Sequence, residues 1–254
     1  CVFNPDAKHK ILLIGNSVTA SYAYNIRQNI KNNYKFIPLT AGGCMYVKSY
    51  YKWNSDKEAI NYCDLKFQDN VSNILKNNQP SIVIYGGYIP LVKNKRHLML
   101  KEGSEDFNRD LLINDTKKTI YSILDDNILI LVYPYPNSPY QNINKNIHLE
   151  FVKRNLLKKN DNDMLNLDKN YYLENFKDLN ALYDSIEHPN LYRIKPFDIL
   201  CSSKNCSSVQ EDKFIFSNNS HPSFYGSELI VKEILNLSDN IKDNEIKKIE
   251  LKFN

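Results

Sequence analysis

Ile11-Leu12-Leu13-Ile14, followed at once by Gly15-Asn16-Ser17, is the most informative stretch of the chain. Four consecutive apolar residues show no polar alternation, so the run reads as a strand buried on both faces, as central parallel strands are. The Gly-Asn-Ser that ends it is a turn. From 20 to 30 the apolar residues Ala23, Ile26 and Ile30 recur at helical spacing.

The same strand–turn–helix order repeats downstream. Residues 35–39 form a second strand that ends in Thr40-Ala41-Gly42-Gly43, and residues 81–85 a third that ends at Gly86-Gly87. Residues 127–133 form a fourth, closed by Pro134 and Pro136, and residues 191–194 a fifth. Between and after them the spacing predicts helices over 64–77, 110–124, 171–186 and 225–235, with one or two more in the polar region 137–170. Short apolar strands alternating with helices predict a three-layer α/β/α sandwich on a five-stranded open parallel sheet. Its crossovers should be right-handed. No internal repeat or Gly/Ser linker interrupts the pattern. The expectation is therefore one domain over 1–254, with its core at about 10–235 and a charged, weakly packed tail over 238–254.

Composition narrows the function classes. Of 254 residues, 42% are apolar and 24% charged, as in an ordinary globular protein. The 33 basic and 29 acidic residues give a net charge of only +4, and they are interleaved, which argues against a nucleic-acid binder. No run of 18 apolar residues exists to span a bilayer. The chain starts at Cys1 rather than Met, which suggests processing or excision from something longer.

Cys44, Cys63, Cys201 and Cys206 fit no zinc spacing. Cys201 and Cys206 enclose a short polar stretch that suits a small disulfide loop, and Cys44 and Cys63 are placed to staple the loop after the second strand. Four cysteines still allow three pairings, and unpaired cytosolic thiols remain the alternative. Cys1 is the odd one. Glycosylation triplets begin at Asn70, Asn114, Asn205, Asn218 and Asn236, but Asn is abundant enough for several to arise by chance.

In an open α/β sheet, ligands bind beyond the carboxyl ends of the strands. That singles out Asn16-Ser17, Gly42-Gly43 and Gly86-Gly87. Ser17 stands at a strand-to-helix turn, where helix amides favour developing negative charge; its plainer role would be to cap the helix. The dinucleotide GxGxxG, the Walker motif and the hydrolase GxSxG are all absent. His9, His97, His148 and His188 sit in polar or surface contexts. His221 differs: it lies in Ser217-Asn-Asn-Ser-His-Pro-Ser-Phe-Tyr-Gly226, just before the last amphipathic helix. From there a neutral imidazole can reach the sheet edge and take a proton from Ser17.

These residues resemble a known family. Gly15-Asn16-Ser17 after the first strand is similar to the first block of the SGNH (GDSL-like) hydrolases. Gly42 or Gly43 matches the second block, and His221 with Gly226 matches the spacing of the last block, DxxHxxxxG. The narrower resemblance is to the SGNH domain fused behind the membrane-spanning acyltransferase-3 domain, carried by GNSVTA, the GGC ending at Cys44, Cys63, and CSSKNC from Cys201 to Cys206. It implies disulfides Cys44–Cys63 and Cys201–Cys206, an extracytoplasmic compartment and an upstream acyltransferase membrane domain. It implies a flavodoxin-like sheet, Ser17 as nucleophile and His221 as base.

Two departures stand out. The third-block GxND is here Tyr85-Gly-Gly-Tyr-Ile-Pro90, without the Asn that donates to the oxyanion, and the acid expected three residues before His221 is Asn218. An Asn can hold the imidazole tautomer but brings no full charge. An acid from elsewhere, such as Asp212, would restore it. The implied chemistry is esterase or O-acyl transfer of small acyl groups, acetyl foremost, on a carbohydrate or lipid. The amides of Ser17, Gly43 and Gly87 would hold the oxyanion, and no metal or cofactor is needed. Asn16, Tyr46 and Tyr88 are the expected substrate contacts. Residues 46–53, rich in Tyr and ending at Trp53, would either stack on a sugar or cover the core. The rival is an SGNH-like domain that binds an acylated ligand or glycan without turning it over.

Overall fold

The computed structural model describes residues 1–54, 59–60, 63–91, 98–136, 166–202, 205–218 and 220–241. Its strands are β1 (His9–Gly15), β2 (Tyr34–Thr40), β3 (Tyr50–Asn54), β4 (Ala59–Ile60), β5 (Ile82–Gly86), β6 (Leu98–Lys101), β7 (Ile128–Val132), β8 (Asn166–Asp168), β9 (Leu191–Ile194), β10 (Asn205–Ser207), β11 (Val209–Gln210) and β12 (Lys213–Phe214). Its helices are α1 (Ser17–Ala20), α2 (Ala23–Asn29), α3 (Leu65–Asn77), α4 (Arg109–Leu124), α5 (Lys169–Asn175), α6 (Lys177–Asp184), α7 (Pro196–Leu200) and α8 (Phe224–Asn240).

Five strands make the expected parallel sheet, in the order β2-β1-β5-β7-β9. Relabelled by sheet membership this is 2-1-3-4-5, the flavodoxin-like order, whose switch point lies between β1 and β5. The register brings Gly15 opposite Thr40 on one side and Gly86 on the other, so three strand ends meet at one place.

Both faces of the sheet are buried, which is why the strands carry no polar alternation. Leu12, Ile14, Val83, Tyr85, Leu129 and Leu131 pack on one face with Leu75, Ile120, Leu182 and Tyr183. Ile11, Leu13, Ile82, Ile84, Ile128 and Ile130 pack on the other with Ile26, Ile230 and Ile234. Side-chain caps set the starts of the long helices: Asp64 accepts from the Phe67 amide at 2.7 Å, Asn108 from Leu111 at 2.9 Å, and Ser223 from Gly226 at 2.9 Å.

Three helices depart from the spacing-based boundaries. The helix expected over 20–30 is α2, which starts only at Ala23, and a separate turn, α1, precedes it. The Ser21 hydroxyl back-bonds to the Ser17 carbonyl at 3.1 Å and the Tyr22 amide reaches Thr19 at 3.0 Å, which tightens and ends the first turn. The helix expected over 171–186 breaks at Phe176, whose ring packs against Tyr172 and Tyr88. The closing helix runs on to Asn240 rather than 235. Ser238 is buried, its carbonyl accepting from the Tyr34 hydroxyl at 3.3 Å, and Ile241 is buried beside it, so residues 238–241 pack onto the body instead of fraying. The rest of the expected tail, 242–254, and most of the polar region 137–170 lie outside the described residues.

The spacing did not reveal the small sheets. β4-β3-β6 is antiparallel, β10 pairs with β8, and β11 with β12. These strands are two to five residues long, too short for a period to register. Among the described residues no helix is long and apolar enough to cross a membrane.

Candidate active site

The turn that carries Ser17 is organised by Asn16. Its Oδ1 accepts from the Val18 amide at 3.1 Å, and its Nδ2 donates to the Tyr88 carbonyl at 2.9 Å. The side chain therefore caps α1 and ties the loop after β1 to the loop after β5. It is only 5% exposed, so both of its polar atoms are spent inside the protein. The capping role weighed for Ser17 belongs to Asn16. Ser17, as the first helical residue, keeps its hydroxyl for another partner.

That partner is His221, whose Nε2 lies 2.8 Å from Ser17 Oγ across 204 residues of chain. The His221 loop is pinned by a bridge between Phe216 and Pro222 and by the Ser217 amide donating to the His221 carbonyl at 3.0 Å. Behind the ring, Nδ1 is 3.0 Å from Asn218 Oδ1 and 3.1 Å from Ser220 Oγ.

The orientation of the Asn218 amide follows from its other partners. The backbone amides of Ser220 and His221 both donate to the same atom, each at 2.9 Å. Only an oxygen accepts from two N–H groups, so Oδ1 and not Nδ2 faces the imidazole. Nδ1 must then carry the proton, and Nε2 presents its lone pair to Ser17, which is the tautomer a general base requires. Burial pushes the His221 pKa below its ordinary 6.5 and keeps the ring neutral at physiological pH. Asp212 stands away from this network: it is exposed, at positive φ in the turn between β11 and β12, and makes none of the contacts to Nδ1.

The loops after β2 and β5 supply glycines. Gly43 has φ +65°, and a β-carbon there would collide with Lys52 Nζ. Gly87 has φ +117°, and a β-carbon there would sit 2.5 Å from Asn16 Oδ1. Gly43 is held to glycine by its backbone, and Gly87 by backbone and by space, since the Asn16 side chain is fixed by its own hydrogen bonds. The Ala41 amide donates to the Gly15 carbonyl at 3.2 Å, which holds the Gly42-Gly43 loop against the turn that carries Ser17.

Of the aromatic candidates, Tyr88 is 41% exposed, with its ring edge-on to Phe176 at 5.8 Å. Tyr46 is placed in the core: it is 4% exposed, and its hydroxyl is 2.8 Å from Ser72 Oγ. Tyr50 is buried as well, so the first part of the 46–53 stretch covers the core, while Tyr51 and Trp53 are half-buried. Disulfides join Cys44 to Cys63 and Cys201 to Cys206, and Cys1 is free and exposed. The first disulfide fixes the loop that carries Gly43.

Sequence reasoning missed Lys52 and Ser220. A lysine between Tyr51 and Trp53 reads as a solvated charge, and a serine beside a histidine as loop filler; neither carries a local signal. Of the other histidines, His188 accepts from the Asn190 amide at 3.2 Å, while His97 and His148 lie outside the described residues. Among the described residues no group of three His, Cys, Asp or Glu could hold a metal ion.

Comparison with solved structures gives a likeness to the periplasmic domain of a lipopolysaccharide acetyltransferase from Salmonella ser. Paratyphi A: 17% identity, TM-score 0.59, covering 92% of this chain and 85% of that one. An acetyl xylan esterase from the rumen bacterium Butyrivibrio proteoclasticus aligns at 11% identity and TM-score 0.43, over 93% of this chain and 64% of that one. A family two carbohydrate esterase from Clostridium thermocellum, solved with cellohexaose, aligns at 11% identity and TM-score 0.42, over 92% and 64%. No curated protein matches the chain. At these identities the likeness speaks to the fold alone. The family model is more specific: SGNH domains fused to AT3 domains match residues 1–236, and the chain belongs to that group of the SGNH esterases and acyltransferases.

Proposed function

We propose that this domain is a serine O-acyl esterase or transferase that handles small acyl groups, acetyl foremost, on a carbohydrate or lipid. The observation that carries the reading is the relay from Asn218 through His221 to Ser17, with contacts of 3.0 and 2.8 Å and the tautomer fixed by the loop amides. Ser17 Oγ attacks the ester carbonyl carbon while His221 Nε2 takes its proton. The amides of Ser17, Gly43 and Gly87 receive the developing oxyanion. Collapse of the tetrahedral species expels the alcohol, protonated by His221. Water or an acceptor hydroxyl then resolves the acyl-Ser17 ester through the same base.

Tyr88, exposed beside the Asn16 contact, is the proposed platform for a sugar ring. An acyltransferase membrane domain in the same polypeptide is the proposed donor partner, supported by the family's fused architecture. Two disulfides support an oxidising, extracytoplasmic setting, as does the periplasmic location of the Salmonella relative.

One observation favours a second reading. The orienting residue is a neutral amide, which brings no charge to an imidazolium, so a domain that binds acylated glycans without turnover is the alternative. The test is exposure of the purified domain to an activated fluorophosphonate probe, with Ser17→Ala alongside. Intact mass and acetate release from a short acyl ester are followed across roughly pH 6 to 9. Labelling and turnover that vanish in the Ser17 variant are expected. A folded, disulfide-intact domain that neither labels nor releases acetate overturns the enzyme reading and leaves the binding one.

A further inference from the structure

The mechanism above does not use Lys52, although its Nζ stands against Gly43. It is 6% exposed, and among the described residues it makes no ion pair and no side-chain hydrogen bond. Burying an ammonium without a partner is costly, so such groups are rare away from sites where an anion binds or develops. Its Nζ occupies the side of Gly43 where a β-carbon would project. The backbone that carries Lys52 is tied to the loop of Gly43. The Lys52 amide donates to the Cys63 carbonyl at 2.8 Å, and Cys63 is bonded to Cys44, the residue after Gly43. Register with Met99 on β6 holds the other edge of β3. Root and target of the side chain are therefore tied together by one disulfide and one strand pair.

We propose that Lys52 is an electrophilic catalytic residue: its ammonium stabilises the tetrahedral oxyanion at Gly43. The proposal rests on the acyl-transfer reading of Ser17 and deepens it. It answers the departure noted in the third block, where Tyr85-Gly-Gly-Tyr-Ile-Pro90 lacks the Asn donor. Asn16, the other nearby amide, has its Nδ2 committed to the Tyr88 carbonyl. In the step itself the Ser17 Oγ–carbon bond forms, the carbonyl π pair moves onto oxygen, and the Ser17 proton passes to His221. The new negative charge then faces the Lys52 ammonium. On collapse the pair returns to the carbonyl, and the leaving alcohol takes the proton from His221. Burial pushes the Lys52 pKa below the ordinary lysine value, as expected where the compensating charge arrives only with the reaction.

The experiment is steady-state hydrolysis of nitrophenyl acetate by wild type, Lys52→Met, Lys52→Gln and Lys52→Arg. Thermal melts and a free-thiol count establish that each variant is folded with its disulfides intact. Affinity for phenylboronic acid, which forms an anionic tetrahedral adduct on a nucleophilic serine, is measured on the same proteins. The expected result is a fall in kcat of about a hundredfold in the Met and Gln variants, with KM within about threefold. Boronate affinity should weaken in parallel, and Arg should recover part of both. A folded Met or Gln variant that keeps wild-type kcat overturns the proposal, as does one that raises KM alone. In either case Ser17-dependent turnover of the wild type leaves the esterase reading standing. If only the Arg variant folds, a wild-type kcat and boronate affinity support the charge, and a loss in both with unchanged melting overturns it. A wild type that neither turns over nor labels overturns the parent reading, and this one with it.

Discussion

Asn218→Asp should make this enzyme faster. The substitution is nearly isosteric, and every interaction at Asn218 Oδ1 has that atom accepting: from the Ser220 amide at 2.9 Å, the His221 amide at 2.9 Å, the Ser220 hydroxyl at 3.3 Å and His221 Nδ1 at 3.0 Å. A carboxylate keeps them all and adds a full charge. With the Nδ1 contact at 3.0 Å, the centres of carboxylate and imidazolium lie about 4 Å apart, where unit charges attract by about 4 kcal/mol at an effective dielectric of 20 and about 1 kcal/mol in water. His221 is half-buried, so a value between these limits applies, roughly 1.5–3 kcal/mol, or about 10- to 100-fold in rate. Because the same charge stabilises imidazolium in the resting enzyme, the His221 pKa rises in the variant. The sign matters for the assay. The base must be neutral, so in the wild type kcat/KM falls as pH drops through a pKa below 6.5, and in the variant this acid limb moves upward. The gain is therefore full near pH 8 and shrinks towards pH 6. The measurement is kcat/KM for nitrophenyl acetate from pH 5 to 9. A variant of unchanged melting temperature, within twofold of wild type at pH 8 and with an unmoved acid limb, would falsify the assignment of Asn218 as the group that holds Nδ1.

Replacing Cys44 and Cys63 by Ser releases a cross-link of 19 residues and should cost roughly 3 kcal/mol of stability, read as a lower urea midpoint; an unchanged midpoint means the loop is held by its packing alone. Tyr88→Ala removes a ring that is 41% exposed beside the site, and loss of a stacking contact of about 1 kcal/mol should raise KM for an acetylated oligosaccharide about fivefold. KM for nitrophenyl acetate, which carries no sugar, should stay put, and equal effects on both substrates would remove Tyr88 from sugar recognition.

Much of the fold is legible in the chain because burial on two faces leaves a plain mark. The run 11–14 has no room for a polar residue, since Ile11 and Leu13 face one helical layer and Leu12 and Ile14 the other. The glycines and the serine just past β1, β2 and β5 were legible for the same reason: strand ends in a parallel sheet all open on one edge. Ser17 and His221 could be paired from their places in the chain order, because both stand at that edge.

Lys52, Tyr46 and Asn16 show where that reasoning stops. All three are polar side chains in loops or short strands, where no hydrophobic period constrains direction. Tyr46 turned inward to bond Ser72, Asn16 spent both its amide atoms on the backbone, and Lys52 came to rest against Gly43. Their directions depend on contacts spanning as many as 72 residues, such as Asn16 to Tyr88, which no local pattern encodes. The tautomer of His221 is of the same kind. The chain supplied an asparagine three residues upstream, but two backbone amides converging on its oxygen fixed which way the amide faces. Local composition thus sets which segments must be buried, since hydrophobic burial is summed over residues; the direction of a polar side chain is set by partners that exist only once the sheet has assembled.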